Sequence, residues 1–221
     1  MQLIDLTVPI GVDTYSPPSV NQPIGITQHF KEPGFWMVSE INMMLHAGSH
    51  IDFSKHYRED GETTLDIDLD RVCGEAVIID LTPIEPDHDI TPADLEAAAP
   101  PIRSGDVVLV KTGWTDIAWG EFPRYYVDSP ACTPEAARWL TETGAKAIGF
   151  DCFPERSAKK QSYLPYEFVV HAIIGDAGAI LMQSLTNLDA LPAGERVQFF
   201  AGFLKVTGAE GVPARFFAMV D

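Results

Sequence analysis

The chain has 221 residues, 46% of them hydrophobic, and a formal net charge of −17. This length suits one domain over residues 1–221 with a single core. The acid excess argues against nucleic acid as a partner, because the phosphate backbone requires a basic patch, and equally against an anionic membrane surface. No apolar run reaches the roughly eighteen residues that a membrane-spanning helix needs.

The first residues, MQLIDLTVPI, lack the basic segment of a signal peptide and are typical of a strand. The three cysteines are far apart and show no CxxC spacing, which is typical of buried thiols in a reducing compartment. We therefore expect a cytoplasmic protein without disulfides or a cysteine-bound zinc.

Several short apolar segments rich in Val and Ile have the composition of strands that are buried on both faces. They cover residues 3–8, 76–81, 107–111, 146–150, 180–185, 199–206 and 214–220.

Helices have clear start signals. Thr91-Pro92 and Thr133-Pro134 each place an N-cap threonine before a proline, and the second helix should end before Gly144. A third segment, residues 166–174, contains His171. Strands and helices alternate in the middle of the chain, while both ends are rich in strands. The sequence therefore predicts an α/β domain with a mixed central sheet.

Three of the six histidines lie within residues 44–57. Residues at every second position share one face of an extended chain. One face here carries only polar residues and a glycine, while the opposite face is mostly apolar and should meet the core. The first face comprises His46, Gly48, His50, Asp52, Ser54 and His56.

This arrangement suits a metal site. Two imidazoles and a carboxylate favour a divalent ion such as Zn²⁺ or Mn²⁺, so His46, His50 and Asp52 are the predicted ligands. Fully extended, the Cα atoms of the two histidines would be roughly 13 Å apart, too far for one ion, and Gly48 would supply the bend. His56 could then transfer protons. The alternative is a hydrogen-bonded polar cluster without metal.

Further candidates lie outside this motif. His171 sits in the apolar run FVVHAII, where a core role competes with a role in the active site. Phe35, Trp36 and Phe53 are near the motif in sequence and could hold a planar ring, although core packing is the alternative for each. Ser184 could hydrogen-bond a substrate carbonyl.

The motif His46-x-Gly48-Ser49-His50-x-Asp52-x-x-x-His56 resembles the signature of the metal-dependent cyclase family, which includes bacterial kynurenine formamidases and isatin hydrolases. Other blocks along nearly the whole chain resemble that family too, among them IDLTVPI, LVKTGW, TPEAARWLTETGAKAIGFD, LTNLDALP and GFLKVTGAEGVPARFFAMV. The resemblance implies a compact swivelling β/β/α fold in a homodimer or higher homo-oligomer.

By the same resemblance, His46, His50 and Asp52 match the metal ligands, His56 the acid/base and His171 a distant active-site histidine. Gln183 stands where the two-zinc formamidases have a glutamate ligand and where isatin hydrolases, with one Mn²⁺, have glutamine. A glutamine adds only a neutral carbonyl oxygen. We therefore expect one ion, Mn²⁺ or Zn²⁺, held by these three ligands and Gln183.

The resemblance implies a hydrolase that cleaves a C–N bond of a small aromatic or cyclic amide, of the isatin hydrolase or arylformamidase type used in tryptophan catabolism. Two other classes remain open: a metal-carrying binding module without turnover, and a homologue that has lost its metal. The last is favoured by Gln183, by Ser54 in place of the family's proline, and by the unusual segment FDCFPERS.

Overall fold

The computed structural model describes residues 1–220, with the side chain at position 158 left aside. The strands in these residues are β1 Gln2–Asp5, β2 Gly25–Lys31, β3 Trp36–Asn42, β4 His50–Asp52, β5 Gly74–Asp80, β6 Asp89–Ile90, β7 Val107–Lys111, β8 Ala131–Cys132, β9 Ala147–Phe150, β10 Ile180–Gln183, β11 Val197–Phe203 and β12 Gly211–Val220. The α-helices in this range are α1 Pro92–Ala98, α2 Trp114–Ala118, α3 Arg124–Val127, α4 Pro134–Glu142 and α5 Val169–Asp176.

The main sheet has the order β1-β12-β11-β5-β7-β9-β10-β4, and β4 pairs again with β12. That extra pairing joins seven strands into a closed, barrel-like ring with β1 outside it. The pairs β5–β7, β7–β9 and β9–β10 are parallel, and the other pairs of the sheet are antiparallel. The predicted α/β class with a mixed central sheet is confirmed, and the closure gives the β/β/α architecture its inner layer.

Two apolar clusters lie on the two faces of this sheet. On β7, Val107 and Leu109 belong to the cluster inside the ring, whereas Val108 and Val110 belong to the cluster under α1, α4 and α5. Consecutive strand residues point to opposite faces, so one apolar strand serves both clusters. This explains why the central strands are apolar throughout their length.

The predicted helix starts agree with the structure. The Thr91 hydroxyl and the Asp94 carboxylate cap each other's backbone N–H groups at α1, and the Thr133 hydroxyl accepts from Ala136 N at α4. The third helix starts later than predicted, at Val169, because Pro165–Glu167 forms a separate 3₁₀ turn. Likewise β10 ends at Gln183, since Ser184 adopts a left-handed φ of 57°.

The β2–β3 hairpin was absent from the predicted elements. It forms a two-stranded sheet of its own, and all residues of both strands are exposed. Within residues 1–220, no helix has the length and hydropathy required to cross a membrane.

Candidate metal centre

The histidine segment bends where the sequence predicts. Gly48 has a φ of +72°, which favours glycine, and a Cβ there would lie 2.6 Å from Ile10 Cγ2. Ser49 fixes the bend to the sheet, because its Oγ donates to Ser184 O (2.7 Å) and accepts from Val8 N (3.0 Å). The chain then enters β4, which places His50 and Asp52 in register with β10 and β12.

The predicted alternation is present in β4, although the segment is extended only there, between the turn that holds His46 and the 3₁₀ helix Ser54–His56. Ile51 and Phe53 pack inside the ring, while His50 and Asp52 point towards the helical layer. The site therefore lies between the edge of the closed sheet and α5, which supplies His171.

Side chains from two separate parts of the chain meet here. His46 Nδ1 lies 2.6 Å from Asp52 Oδ1, and His50 Nε2 lies 3.5 Å from the same oxygen. The ligand atoms of these three residues are all within 4.8 Å of one another. His171 Nε2 approaches Asp52 Oδ2 at 3.3 Å from the other side. The structure thus brings together the three predicted ligands and the distant histidine.

His56 ends the 3₁₀ helix Ser54–His56 and stacks on the His46 ring, with 4.0 Å between ring centroids. Its ring is 5.7 Å from that of His171. It offers a ligand atom within 4.8 Å of those of Asp52 and His171, and it belongs to a second such group with His46 and Glu210. His56 therefore lies at the cluster, next to the predicted ligands.

Gln183 gives the clearest evidence that the cluster suits a cation. Its Nε2 faces Asp52 Oδ2 (2.5 Å), His171 Nε2 (2.9 Å) and His50 Nε2 (3.3 Å). Its Oε1 is buried and has no hydrogen-bond partner among the described residues. A buried amide oxygen without a partner is rare. A divalent ion would supply that partner once the amide turns, and two nitrogens with two oxygens suit Zn²⁺ or Mn²⁺.

Three of the four imidazoles have hydrogen-bond partners on their outer side. His50 Nδ1 donates to Gly48 O (2.7 Å), which leaves the Nε2 lone pair for a metal. His171 Nδ1 lies 3.2 Å from Glu155 Oε2, and the same oxygen accepts from Val170 N at the start of α5. His46 Nε2 lies 3.3 Å from Glu210 Oε1.

The two glutamates were absent from the predicted site. Glu155 lies in FDCFPERS, the segment that the sequence analysis marks as unusual, so a signal for it was present. Glu210 is one of 32 acidic residues and stands 164 positions from His46. Glu210 can be recognised as part of the site only from its contact with His46 in the folded chain.

The charges of the cluster depend on one another. Burial works to lower the pKa of His46, but Asp52 and Glu210 raise it to about 9. Burial, together with the neighbouring histidines, lowers the pKa of His50 to about 4 and that of His56 to about 3. The pKa of Asp52 lies well below its usual range, because the histidines outweigh the effect of burial. The cluster thus combines an ionised carboxylate with neutral His50 and His56, and the neutral imidazole is the form that ligates a metal ion.

A cavity opens beside the cluster and encloses about 480 Å³, including solvent at its mouth. Besides four histidines and Gln183, it is lined by Ser16, Pro17, Ser19, Val20, Met44, Phe153, Tyr163 and Phe168.

The four predicted substrate-binding residues do not line this cavity. Phe53 is 1% exposed and packs against Phe203 inside the ring. Ser184 is buried, where its Oγ accepts from Tyr125 Oη (2.8 Å). Phe35 and Trp36 lie at the tip of the β2–β3 hairpin and are 84% and 65% exposed. The aromatic walls come instead from Phe153, Tyr163 and Phe168, which lie 97 to 112 residues after His56 in the sequence.

A closed mixed sheet with a helical layer, and a His/Asp/Gln cluster beside an apolar cavity, defines an α/β protein with a candidate divalent-metal centre. The chain belongs to the cyclase family: the family described as "Putative cyclase" matches residues 4–154. The match covers the histidine segment.

The relatives include two proteins named kynurenine formamidase. That of Erythrobacter litoralis (strain HTCC2594) is 33% identical over 52% of this chain, and the match spans about half (48%) of that protein. That of Bacillus mycoides (strain KBAB4) is 27% identical over 97% of this chain and 95% of that protein. An isatin hydrolase bound to the product analogue thioisatinate has the same fold, with a TM-score of 0.83, 23% identity, and coverage of 99% of this chain and 92% of that one.

Proposed function

We propose that this chain is a metal-dependent hydrolase that cleaves a C–N bond of a small aromatic or cyclic amide. Membership of the cyclase family and its named relatives support a hydrolase. The observation that carries the proposal is the cluster of His46, His50, Asp52 and Gln183, with an unsatisfied amide oxygen, beside an aromatic-lined cavity. In this proposal, those four residues hold one divalent ion.

When bound, the ion polarises the substrate carbonyl and acidifies the attacking water. The chain's residues supply the proton transfers. A ring nitrogen of neutral His56 accepts a proton from the attacking water and returns it to the leaving nitrogen. His171, held by Glu155 at Nδ1, orients the water or stabilises the oxyanion through Nε2.

The cavity indicates the kind of substrate. Tyr163 and Phe168 are stacked, with centroids 5.3 Å apart, and Phe168 lies 4.0 Å from the His171 ring. Such walls suit a planar, weakly polar ring. Isatin-type ring opening is favoured by Gln183, which adds no negative charge. Hydrolysis of N-formylkynurenine, in tryptophan catabolism, is the second candidate and is favoured by the two kynurenine formamidases among the relatives.

We also propose that the chain works as a homodimer or higher homo-oligomer through its β2–β3 hairpin. Both strands are exposed, and a two-stranded hairpin alone is marginally stable in water. Aromatic residues of this size bury about 150–250 Å² each, so Phe30, Phe35 and Trp36 could supply a large part of the roughly 800 Å² that each partner needs. In such an oligomer, Phe35 and Trp36 of one copy would contact substrate in the site of a second copy and so keep the role that the sequence predicts for them.

An activity screen tests the proposed function. Protein loaded with Mn²⁺ or Zn²⁺ is assayed with isatin, N-formylkynurenine, and simple lactones and imides. We expect hydrolysis of a C–N substrate by the wild type and by His88→Ala, a histidine that contacts Asp94 away from the cluster, and loss of it in His50→Ala. Metal and ligand binding without turnover of any substrate would indicate a binding module instead. Failure to bind either metal would indicate a homologue that has lost its metal site.

A further inference from the structure

We propose that Glu210 and Gly211, where β12 begins, form a seat that positions the His46 ring for the divalent ion. This inference rests on the metal centre of the proposed function and assigns both residues as positioning residues rather than ligands.

His46 needs such a seat more than the other ligands do. His50 and Asp52 belong to β4, and pairing with β10 and β12 fixes their backbone. His46 lies in the turn before that strand, so the sheet does not hold it directly. Its side chain is nevertheless only 13% exposed. The contacts of the ring itself must therefore set its orientation.

Gly211 leaves the space that the ring occupies. A Cβ at this position would lie 2.3 Å from His46 Cε1 and 2.9 Å from each ring nitrogen. The φ of Gly211 lies outside the left-handed region, so its backbone does not require glycine. The requirement comes from the imidazole, which no alanine could accommodate without a shift of the ring.

Glu210 holds the outer edge of the same ring. Its Oε1 lies 3.3 Å from His46 Nε2, while His46 Nδ1 faces Asp52 at 2.6 Å. An Nε2–H that donates to Glu210 leaves the Nδ1 lone pair directed at the cation. The Glu210 carbonyl accepts from Phe53 N (2.9 Å), which ties this residue to the end of the ligand strand.

The other two histidines have equivalent outer partners. His50 donates to Gly48 O, and His171 faces Glu155. Outer carboxylates and carbonyls of this kind fix the tautomer and the ring orientation of ligating histidines. Glu210 completes the set, so that His46, His50 and His171 each have one ring nitrogen anchored and one directed inwards.

The test measures cation affinity by competition with a chromophoric chelator, and cation content by elemental analysis, on folded holoprotein. We expect Glu210→Ala and Gly211→Ala to bind Mn²⁺ or Zn²⁺ about 10- to 100-fold more weakly than the wild type, with unchanged content at saturation. Glu210→Gln keeps an acceptor oxygen and should lose less. Glu59→Gln removes an exposed charge elsewhere, and Gly202→Ala adds a Cβ in β11 at an ordinary contact distance of 3.9 Å from Arg215 O, so both should bind as the wild type does.

If Glu210→Ala and Gly211→Ala both bind the cation as tightly as the wild type, the positioning role of Glu210 and Gly211 is wrong, and the proposed metal centre is unaffected. Loss of a whole equivalent of metal from Glu210→Ala at saturation would overturn the positioning role, because Glu210 would then be a ligand together with His46 and His56. A wild type that binds no cation would instead refute the metal centre itself and the seat with it. Thermal melting of the metal-free proteins shows whether each variant folds. If Gly211→Ala does not fold, the comparison of Glu210→Ala with Glu210→Gln and the wild type provides the test.

Discussion

At the scale of single residues, Gln183 leaves the centre with one negative charge fewer than a glutamate at the same position would. A carboxylate can share its two oxygens between two cations and offset their mutual repulsion, whereas an amide offers one neutral oxygen. Its Oε1 is buried without a partner among the described residues, although its Nε2 has three neighbours. We therefore propose that the number of bound ions depends on this side chain.

Gln183→Glu should raise the number of divalent ions bound per chain from one towards two, because the added carboxylate compensates a second cation. Elemental analysis after dialysis against metal-free buffer measures this number. Gln198→Glu, an exposed glutamine of β11, adds the same charge elsewhere and should leave it at one. An unchanged single ion in Gln183→Glu would show that the charge at position 183 does not limit the site.

His56→Ala should lower kcat about a hundredfold or more, because the variant lacks the group that accepts and returns the proton. Its metal content should stay at the wild-type level, since the four proposed ligands remain. Steady-state kinetics together with elemental analysis measures both quantities, and His88→Ala serves as the control. Unchanged turnover would remove His56 from the mechanism, and loss of metal would make it a ligand.

Site residues that are close together in the sequence could be predicted, whereas those that are far apart could not. His46, His50 and Asp52 lie within seven residues, and their alternation with apolar neighbours was visible in the sequence. Glu155 and Glu210 reach the site only through folding, from the loop after β9 and from the start of β12. A single carboxylate in an acidic chain carries no local pattern, so sequence alone did not indicate Glu210.

At the scale of elements, local chemistry determined what could be predicted. Both Thr-Pro starts gave the correct first turns of α1 and α4, because an N-cap acts through its immediate neighbours. The β2–β3 hairpin gave no such signal. It buries no face in its own chain, so it lacks the alternation of apolar and polar residues that identifies a half-buried strand.

Phe35→Ser combined with Trp36→Ser should weaken self-association, because the hairpin tip would lose its two largest exposed apolar side chains. Light scattering coupled to size-exclusion chromatography at several concentrations measures the mass. The double variant Ile117→Ser and Leu204→Ser removes two apolar residues that are 63% and 66% exposed elsewhere and should associate as the wild type does. Equal masses for all three proteins would exclude the hairpin tip as the contact.

At the scale of the whole molecule, the closed ring brings the parts of the centre together. β4 has only three residues, yet it pairs with both β10 and β12 and so completes the ring. The mixed sheet was predictable from the apolar strands, but the closure was not, because it depends on pairings between segments more than a hundred residues apart. The same closure sets Gln183 opposite His50 and Gly211 opposite Asp52.

Metal content per chain tests the central claim most directly. Protein purified from cells supplied with both Mn²⁺ and Zn²⁺ is dialysed and analysed for both elements, beside His50→Ala, which lacks one of the four ligands. We predict about one tightly held ion per wild-type chain and little or none in the variant, because the remaining ligands bind the ion more weakly. Two tightly bound ions per wild-type chain, or none, would contradict a centre in which His46, His50, Asp52 and Gln183 hold a single ion.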